Sequence, residues 1–216
     1  MEIKLQEIRQ KPLNLFISKT FNYGILLLII MAITSCGKLK LPQLQKLTPL
    51  PKEPSCRIAV LPLNNESSHP LAAKIVYKIF MAELISASKF DVIQEGNILK
   101  TYRQLRIFPG KQPNFDQLQI LADRLNVQLF VTGTVNEVKE NPSSRYTDPS
   151  LTLTIQIVDA HSGRTIWTTY HKRTGFHYQK VMHFGIVTSL SGLAKKMSQE
   201  IIDLWFREGL EPCIDQ

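Results

Sequence analysis

The stretch Leu151-Thr-Leu-Thr-Ile-Gln-Ile-Val-Asp-Ala-His-Ser-Gly-Arg-Thr-Ile-Trp-Thr-Thr-Tyr-His-Lys172 decides the fold of this chain. Its first seven residues alternate between apolar side chains and threonine or glutamine. That period of two is expected of a β-strand with one buried face. A short turn with a glycine, residues 160–163, separates this strand from a second one predicted over residues 164–172. The stretch therefore predicts an antiparallel β-hairpin. Asp159 is expected to accept hydrogen bonds from the turn amides, and Trp167 is expected in the core.

The residues before this hairpin alternate between short apolar runs and helical patterns. Strands are predicted over residues 58–63, 90–94 and 127–138, and helices over residues 71–87, 97–107, 115–125 and 184–207. The order β-α-β-α-α-β-β-β-α predicts the α/β class. We expect a three-layer α/β/α sandwich around a mixed sheet of about five strands, of which strands three to five form an antiparallel meander.

An apolar run of 11 residues from Tyr23 to Ile33 is too short for a membrane-spanning helix, which needs about 20 residues. It has the length of a signal-peptide core, about 7–15 residues. Basic residues precede it, and small residues lead from it to Cys36, as in a bacterial lipobox. This pattern predicts a lipoprotein signal peptide over residues 1–35 and lipid (palmitate) attachment at Cys36. An uncleaved anchor and an ordinary signal peptide are the alternatives.

The residue after Cys36 indicates to which of the two bacterial membranes a lipoprotein would be delivered. Gly37 stands where lipoproteins retained at the inner membrane commonly have aspartate, which favours the periplasmic face of the outer membrane. Residues 36–56 contain four prolines and four lysines, and they are predicted to form an extended tether. At about 3.1 Å per residue the tether reaches roughly 60 Å at most. Residues 57–216 are predicted to form a single domain.

The charge of the chain is moderately basic. The formal net charge is +8, and residues 1–35 contribute +2 of it through four basic and two acidic residues. The remaining +6 is not concentrated in any run of five basic residues, so nothing in the sequence favours a nucleic-acid partner.

Three cysteines are present, and their positions suggest a structural role. With Cys36 acylated, Cys56 and Cys213 remain, one before the first predicted strand of the domain and one after the last helix. In an oxidising periplasm a disulfide between them is a candidate that the sequence alone leaves open. No cysteine spacing resembles a zinc site, so no metal is expected.

The sequence offers no catalytic constellation and predicts no cofactor. No glycine-rich phosphate loop and no G-x-S-x-G elbow is present. His171, His177 and His183 repeat every six residues, which fits neither a helix face nor a strand face. We expect these histidines to be solvated. Because acid–base chemistry needs titratable groups gathered in a pocket, the sequence favours a binding module over an enzyme.

Four segments resemble a bacterial envelope superfamily. They are residues 57–63, 90–94, 121–135, with its A-D-R-L-N-V-Q-L-F-V-T-G run, and 157–167, with its V-D-A-H-S-G-R-T-I-W run. The superfamily contains the curli-secretion lipoprotein CsgG, the penicillin-binding-protein activator LpoB and the amino-terminal domain of TolB. The resemblance implies an α/β/α sandwich and a non-enzymatic role in binding a partner.

These features predict an outer-membrane-anchored periplasmic lipoprotein. It would act as a non-enzymatic accessory protein of an envelope assembly, in secretion or cell-wall synthesis, with an envelope protein as its unidentified partner. One alternative is a subunit of a CsgG-like oligomeric secretion complex, so a homo-oligomer stays open. The connection predicted over residues 140–150 is short and polar, which argues against a pore. A wall hydrolase is a further alternative, and it would require a cleft with paired carboxylates.

Overall fold

A seven-stranded mixed sheet carries the fold. The computed structural model describes residues 42–51, 55–108, 110–142, 147–182 and 184–211. In chain order the elements are β1 (Gln43–Lys46), β2 (Arg57–Val60), β3 (Asn64–Asn65), α1 (Ala72–Ser86), β4 (Asp91–Val92), α2 (Glu95–Gln104), α3 (Phe115–Leu125), β5 (Leu129–Pro142), β6 (Thr147–Asp159), β7 (Thr165–Thr174), a 3-10 helix (Gly175–Tyr178) and α4 (Leu190–Arg207). All of them belong to one unit, Leu41–Gln216.

The strands lie in the order β1-β7-β6-β5-β2-β4, and β3 pairs with β5 beside this path. β2 is parallel to β4 and β5, whereas β5, β6 and β7 form an antiparallel meander. The hairpin predicted from the opening stretch is therefore the β6–β7 pair. The α/β class and the meander are confirmed.

Helices cover the sheet because of two crossover connections. From β2 the chain passes through α1 to β4 at one edge, and it then returns through α2 and α3, past β2, to β5. Because such connections are right-handed, two crossings in opposite directions place α1 on one face and α2 and α3 on the other. α4 packs against α1 and against β6 and β7. The predicted α/β sandwich is confirmed.

Trp205 joins α4 to the rest of the core. The indole of Trp205 meets the ring of Phe80 on α1 edge to face, with centroids 5.7 Å apart. Its Nε1–H donates to Thr169 Oγ1 on β7 at 2.8 Å. Trp167 is also buried, as predicted. Asp159 accepts a hydrogen bond from the Ser162 amide at 2.6 Å, which confirms its predicted role in the turn.

The sheet has seven strands where about five were predicted, and one of the additional strands lies in the predicted tether. β1 pairs antiparallel with β7, with Gln43 opposite Tyr170 and Lys46 opposite Trp167. Prolines flank this segment, and for that reason the sequence did not predict a strand here, although none of them lies within the four residues of β1. The folded unit therefore includes residues 43–46 and begins before the predicted boundary at residue 57.

Two further elements differ from their predictions. The last helix begins at Leu190 and not at residue 184, because the Ser189 hydroxyl caps it by accepting the Gly192 amide hydrogen bond at 3.1 Å. Gly185, with φ of 87°, interrupts the apolar pattern that suggested an earlier start. Most of the connection predicted over residues 140–150 is strand, since β5 runs to Pro142 and β6 begins at Thr147.

Candidate interaction surface

The predicted site residues are the three cysteines. Cys36 and Cys213 lie outside the described residues. Cys56 lies directly before β2 and is bonded in a disulfide. Its pairing with Cys213 and the acylation of Cys36 stay predictions.

One face of the meander carries polar side chains in cross-strand rows. On the side of β6 and β7 opposite α4, residues 154, 156, 168, 170 and 172 are half-buried or exposed, and Tyr170, 42% exposed, lies among them. β1 extends these rows, because Gln43 pairs with Tyr170 and Gln45 pairs with Thr168. We name this surface the open face. It consists of Gln43, Gln45, Thr154, Gln156, Thr168, Tyr170 and Lys172.

Hydrogen bonds between neighbouring strands hold the open face in place. Gln156 Nε2 donates to Thr168 Oγ1 at 3.4 Å, and Thr154 Oγ1 donates to Asn136 Oδ1 at 2.8 Å. Asn136 lies at a β-bulge in β5, which turns its amide toward β6. The threonines bond within the sheet, so the exposed tyrosine and glutamines are the groups best placed to meet another molecule.

The opposite side of β7 holds a buried charged cluster against α4. His171 Nε2 and Arg173 Nε share one oxygen of Glu200, at 2.5 and 3.2 Å. His171 and Arg173 are each 2% exposed. Burial lowers the pKa of His171, although the hydrogen bond to Glu200 opposes that shift. Burial also opposes ionisation of Glu200, but the hydrogen bond from His171 and the charge of Arg173 hold its pKa below the usual range.

The prediction that the three histidines are solvated is wrong for His171. Its strand places alternate residues against α4, and residue 171 falls on the buried side. Glu200 supplies the partner that burial requires. His177 is exposed, and its Nδ1 accepts a hydrogen bond from the Thr174 amide at 2.8 Å. His183 lies outside the described residues. The sequence did contain a signal for this burial, because His171 and Trp167 are four residues apart and therefore lie on the same face of the strand.

A small hollow lies beside the β1 edge. Its volume is about 330 Å³, at the lower end of ligand-binding cavities, and its lining comprises residues 46–50, Trp167 and Glu208. The Lys46 ammonium lies 5.5 Å from the centre of the Trp167 ring and 2.9 Å from the Glu208 carboxylate. That carboxylate is the one acidic group in the lining, so the hollow lacks the paired carboxylates that a wall hydrolase would need.

Within residues 42–51, 55–108, 110–142, 147–182 and 184–211, no group of three or more histidine, cysteine or acidic side chains could hold a metal ion. In the same ranges no helix has the length and apolar character required to cross a bilayer.

Known proteins match this chain in structure only. No protein-family model matches the sequence, and no curated protein matches it significantly. A solved structure with a similar fold is the PelC dodecamer from Paraburkholderia phytofirmans, at a TM-score of 0.52 and 17% identity. The match covers 75% of this chain and 95% of that one. The chain shares its fold with PelC.

Two other similar structures have lower TM-scores. Lipoprotein GNA1162 from Neisseria meningitidis is 17% identical at a TM-score of 0.48, covering 70% of this chain and 99% of that one. The carboxyl-terminal domain of LpoB from Escherichia coli is 15% identical at 0.43, covering 58% and 86%. LpoB is thus among the structural neighbours, as the resemblance in sequence predicted, while the likeness in fold rests on PelC.

Proposed function

We propose that this chain is a lipid-anchored, non-enzymatic accessory protein that binds a partner protein of the bacterial envelope through the open face. The observation that carries the proposal is the open face itself, a polar surface whose seven residues are half-buried or exposed. Tyr170 supplies a rigid apolar area at its centre, and the surrounding glutamines supply hydrogen-bond donors and acceptors. Aromatic anchors with a polar surround are typical of protein interfaces.

The anchor places this surface in the envelope. The lipobox-like ending at Cys36 supports thioether-linked lipidation of its sulfur and removal of residues 1–35. Gly37 supports an outer-membrane destination with the domain on the periplasmic side. The resemblance of residues 57–63, 90–94, 121–135 and 157–167 to a bacterial envelope superfamily supports the envelope assignment.

The partner hypothesis is tested with a photo-crosslinking amino acid placed at Tyr170 in intact cells. The matched control places it at Asp123, an exposed position on α3. We expect one envelope protein to crosslink at position 170 and not at position 123. The additional change Thr168→Arg should abolish that product, because it inserts a bulky charge beside the crosslinker. Equal products at both positions, or none at position 170, would contradict the proposal.

The anchor is tested separately by labelling. We expect labelled palmitate to be incorporated into the unchanged protein and not into the Cys36→Ser variant. Globomycin, which blocks the lipoprotein signal peptidase, should cause a larger precursor to accumulate. A protein whose size and lipid content are unaffected by both treatments would refute the anchor.

A second candidate function is a subunit of a homo-oligomeric envelope complex. β1 and β4 form the two edges of the sheet, so their outer backbone groups are available to pair with another strand. PelC, which has the same fold, is described as a dodecamer. Light scattering on the detergent-extracted protein distinguishes the two candidates, because a monomer would exclude the homo-oligomeric complex. A crosslink from Tyr170 to a second copy of the chain would favour that complex.

A further inference from the structure

Gln43 is the residue of the sheet that lies nearest to Cys36 in the sequence. β1 runs antiparallel to β7, so the Gln43 end of β1 points in the direction in which β7 continues from Tyr170 to Thr174. The 3-10 helix Gly175–Tyr178 begins at that end. The same end also carries the tip of the β5–β6 hairpin, since Ser150 pairs with Thr174 and the hairpin extends beyond that pair.

The length of chain outside the sheet is short. Six residues separate Cys36 from Gln43, and seven Cα-to-Cα steps span at most about 25 Å. β7 extends four residues beyond the partner of Gln43, which is about 13 Å. A lipid on Cys36 would therefore hold Gln43 within about 25 Å of the lipidated residue.

An apolar tip projects at this end, directly after the 3-10 helix. We name Val181, Met182 and Phe184 the apolar tip, and their side chains are 66%, 83% and 76% exposed. Met182 and Phe184 have the two largest exposed fractions among the large apolar side chains of the described residues. Exposure of several neighbouring apolar groups is unfavourable in water and marks an interaction site.

The backbone of the tip is held in a defined turn. The Lys180 amide donates to the Phe184 carbonyl and the Phe184 amide donates to the Val181 carbonyl, each at 2.8 Å. Gly185, with φ of 87°, approaches the Tyr178 carbonyl so closely that a Cβ would lie 2.6 Å from it. The Val187 amide then bonds the Gly175 carbonyl at 3.2 Å, which returns the chain to the 3-10 helix.

The charge beside the tip suits a phospholipid surface. Lys180 is exposed next to Val181 and makes no ion pair within the described residues. Glu140 is an opposing exposed charge on the neighbouring hairpin. Apolar side chains flanked by lysines are the pattern by which peripheral proteins enter the headgroup region of a bilayer.

We infer that the apolar tip inserts into the phospholipid headgroup region of the membrane that holds the acyl anchor. This inference rests on the proposed lipidation of Cys36, seven residues before β1 in the sequence. The tip would then add a second contact with the membrane beside the lipid anchor. The arrangement sets the orientation of the open face relative to the membrane.

The test uses the acylated protein in vesicles that contain brominated phospholipid, which quenches tryptophan fluorescence on contact. The Phe184→Trp variant reports on the tip. The control variant, Ile85→Trp, has its 50% exposed side chain in the last turn of α1, beside the start of β4 at the other end of the sheet. Trp167 and Trp205 are buried, and their signal is measured in the unchanged protein.

We expect brominated lipid to quench the added emission of the Phe184→Trp variant at least about twofold and to leave that of the Ile85→Trp variant unchanged. Equal quenching of both variants, or of neither, would overturn the inference. A blue-shifted but unquenched signal at position 184 would also overturn it, because the tip would then contact protein, a second copy or a partner. Palmitate content is measured on the same samples, so a missing anchor is distinguished from a tip that does not insert.

Discussion

The imidazole Nε2 of His171 lies 2.5 Å from Oε2 of Glu200 and links β7 to α4 inside the domain. Arg173 Nε lies 3.2 Å from the same oxygen. The Arg173 guanidinium already balances the carboxylate, so the histidine need not carry a proton to be paired. A neutral imidazole that donates its Nε2–H satisfies both groups, and it agrees with the lowered pKa of His171.

The first prediction concerns the loss of Glu200. The Glu200→Ala variant leaves Arg173 charged and unpaired at 2% exposure, so we expect the free energy of unfolding to fall by about 3–5 kcal/mol. The control is Glu208→Gln, which breaks an ion pair to Lys46 whose side chains are 41% and 50% exposed. That change should cost about 0–1 kcal/mol. Urea denaturation of both variants measures the difference, and equal costs would contradict the prediction.

The second prediction is a loss of stability in mild acid. Burial lowers the pKa of His171 in the folded state, so below the unfolded value of about 6.5 the unfolded chain takes up a proton that the folded chain does not. This contribution to stability is present above pH 6.5 and is lost as the pH falls below it. Glu200, with a lowered folded pKa, adds a further loss as the pH falls through the carboxylate range.

The measurement is the free energy of unfolding from urea titrations between pH 7.5 and pH 5, a range chosen to span about one unit on either side of the histidine value. We expect a decline that is shallower in the His171→Gln variant, because glutamine cannot take up the proton. The His161→Gln variant changes an exposed histidine in the β6–β7 turn and should follow the unchanged protein. Parallel curves for all three proteins would show that His171 does not cause the decline.

The third prediction compares two glycines. A Cβ at Gly133 in β5 would overlap the Thr154 carbonyl oxygen and lie 3.0 Å from Ile155 Cα, so Gly133→Ala should cost about 1–3 kcal/mol. A Cβ at Gly96 in α2 would meet nothing within 4 Å, so Gly96→Ala should stabilise the helix by roughly 0.5–1 kcal/mol. Thermal unfolding should therefore shift in opposite directions, and a tolerated alanine at residue 133 would disprove the close approach of β5 and β6.

Much of the sheet follows from sequence because its patterns are local. The alternation from Leu151 to Ile157 and the turn at residues 160–163 predict the β6–β7 hairpin without long-range information. The helix Phe115–Leu125 has both its predicted ends, and a local signal fixes its start, since Asn114 and Gln117 exchange the hydrogen bonds of a capping box.

The elements that the sequence did not predict depend on contacts with residues far away along the chain. β1 has no strand pattern of its own, and it forms because β7 offers an unpaired edge more than 100 residues away. Phe184 and Val187 continue the apolar spacing of α4, but the turn at Gly185 and the cap at Ser189 separate them from the helix. The polar side of β6 could be predicted from the alternating threonine and glutamine positions. The extension of the open face onto Gln43 and Gln45 could not, because it depends on the pairing of β1 with β7.

The last prediction concerns the cysteines. Cys56 is bonded in a disulfide, and we expect non-reducing peptide mapping of the protein to join it to Cys213. Such a bond would close a loop around almost the whole domain, so the Cys213→Ser variant should lose about 2–5 kcal/mol of unfolding free energy. The control is the unchanged protein after reduction, which should lose a similar amount. A bond from Cys56 to Cys36 would contradict the prediction and would also exclude the anchor, because a thioether-linked sulfur at Cys36 cannot form a disulfide.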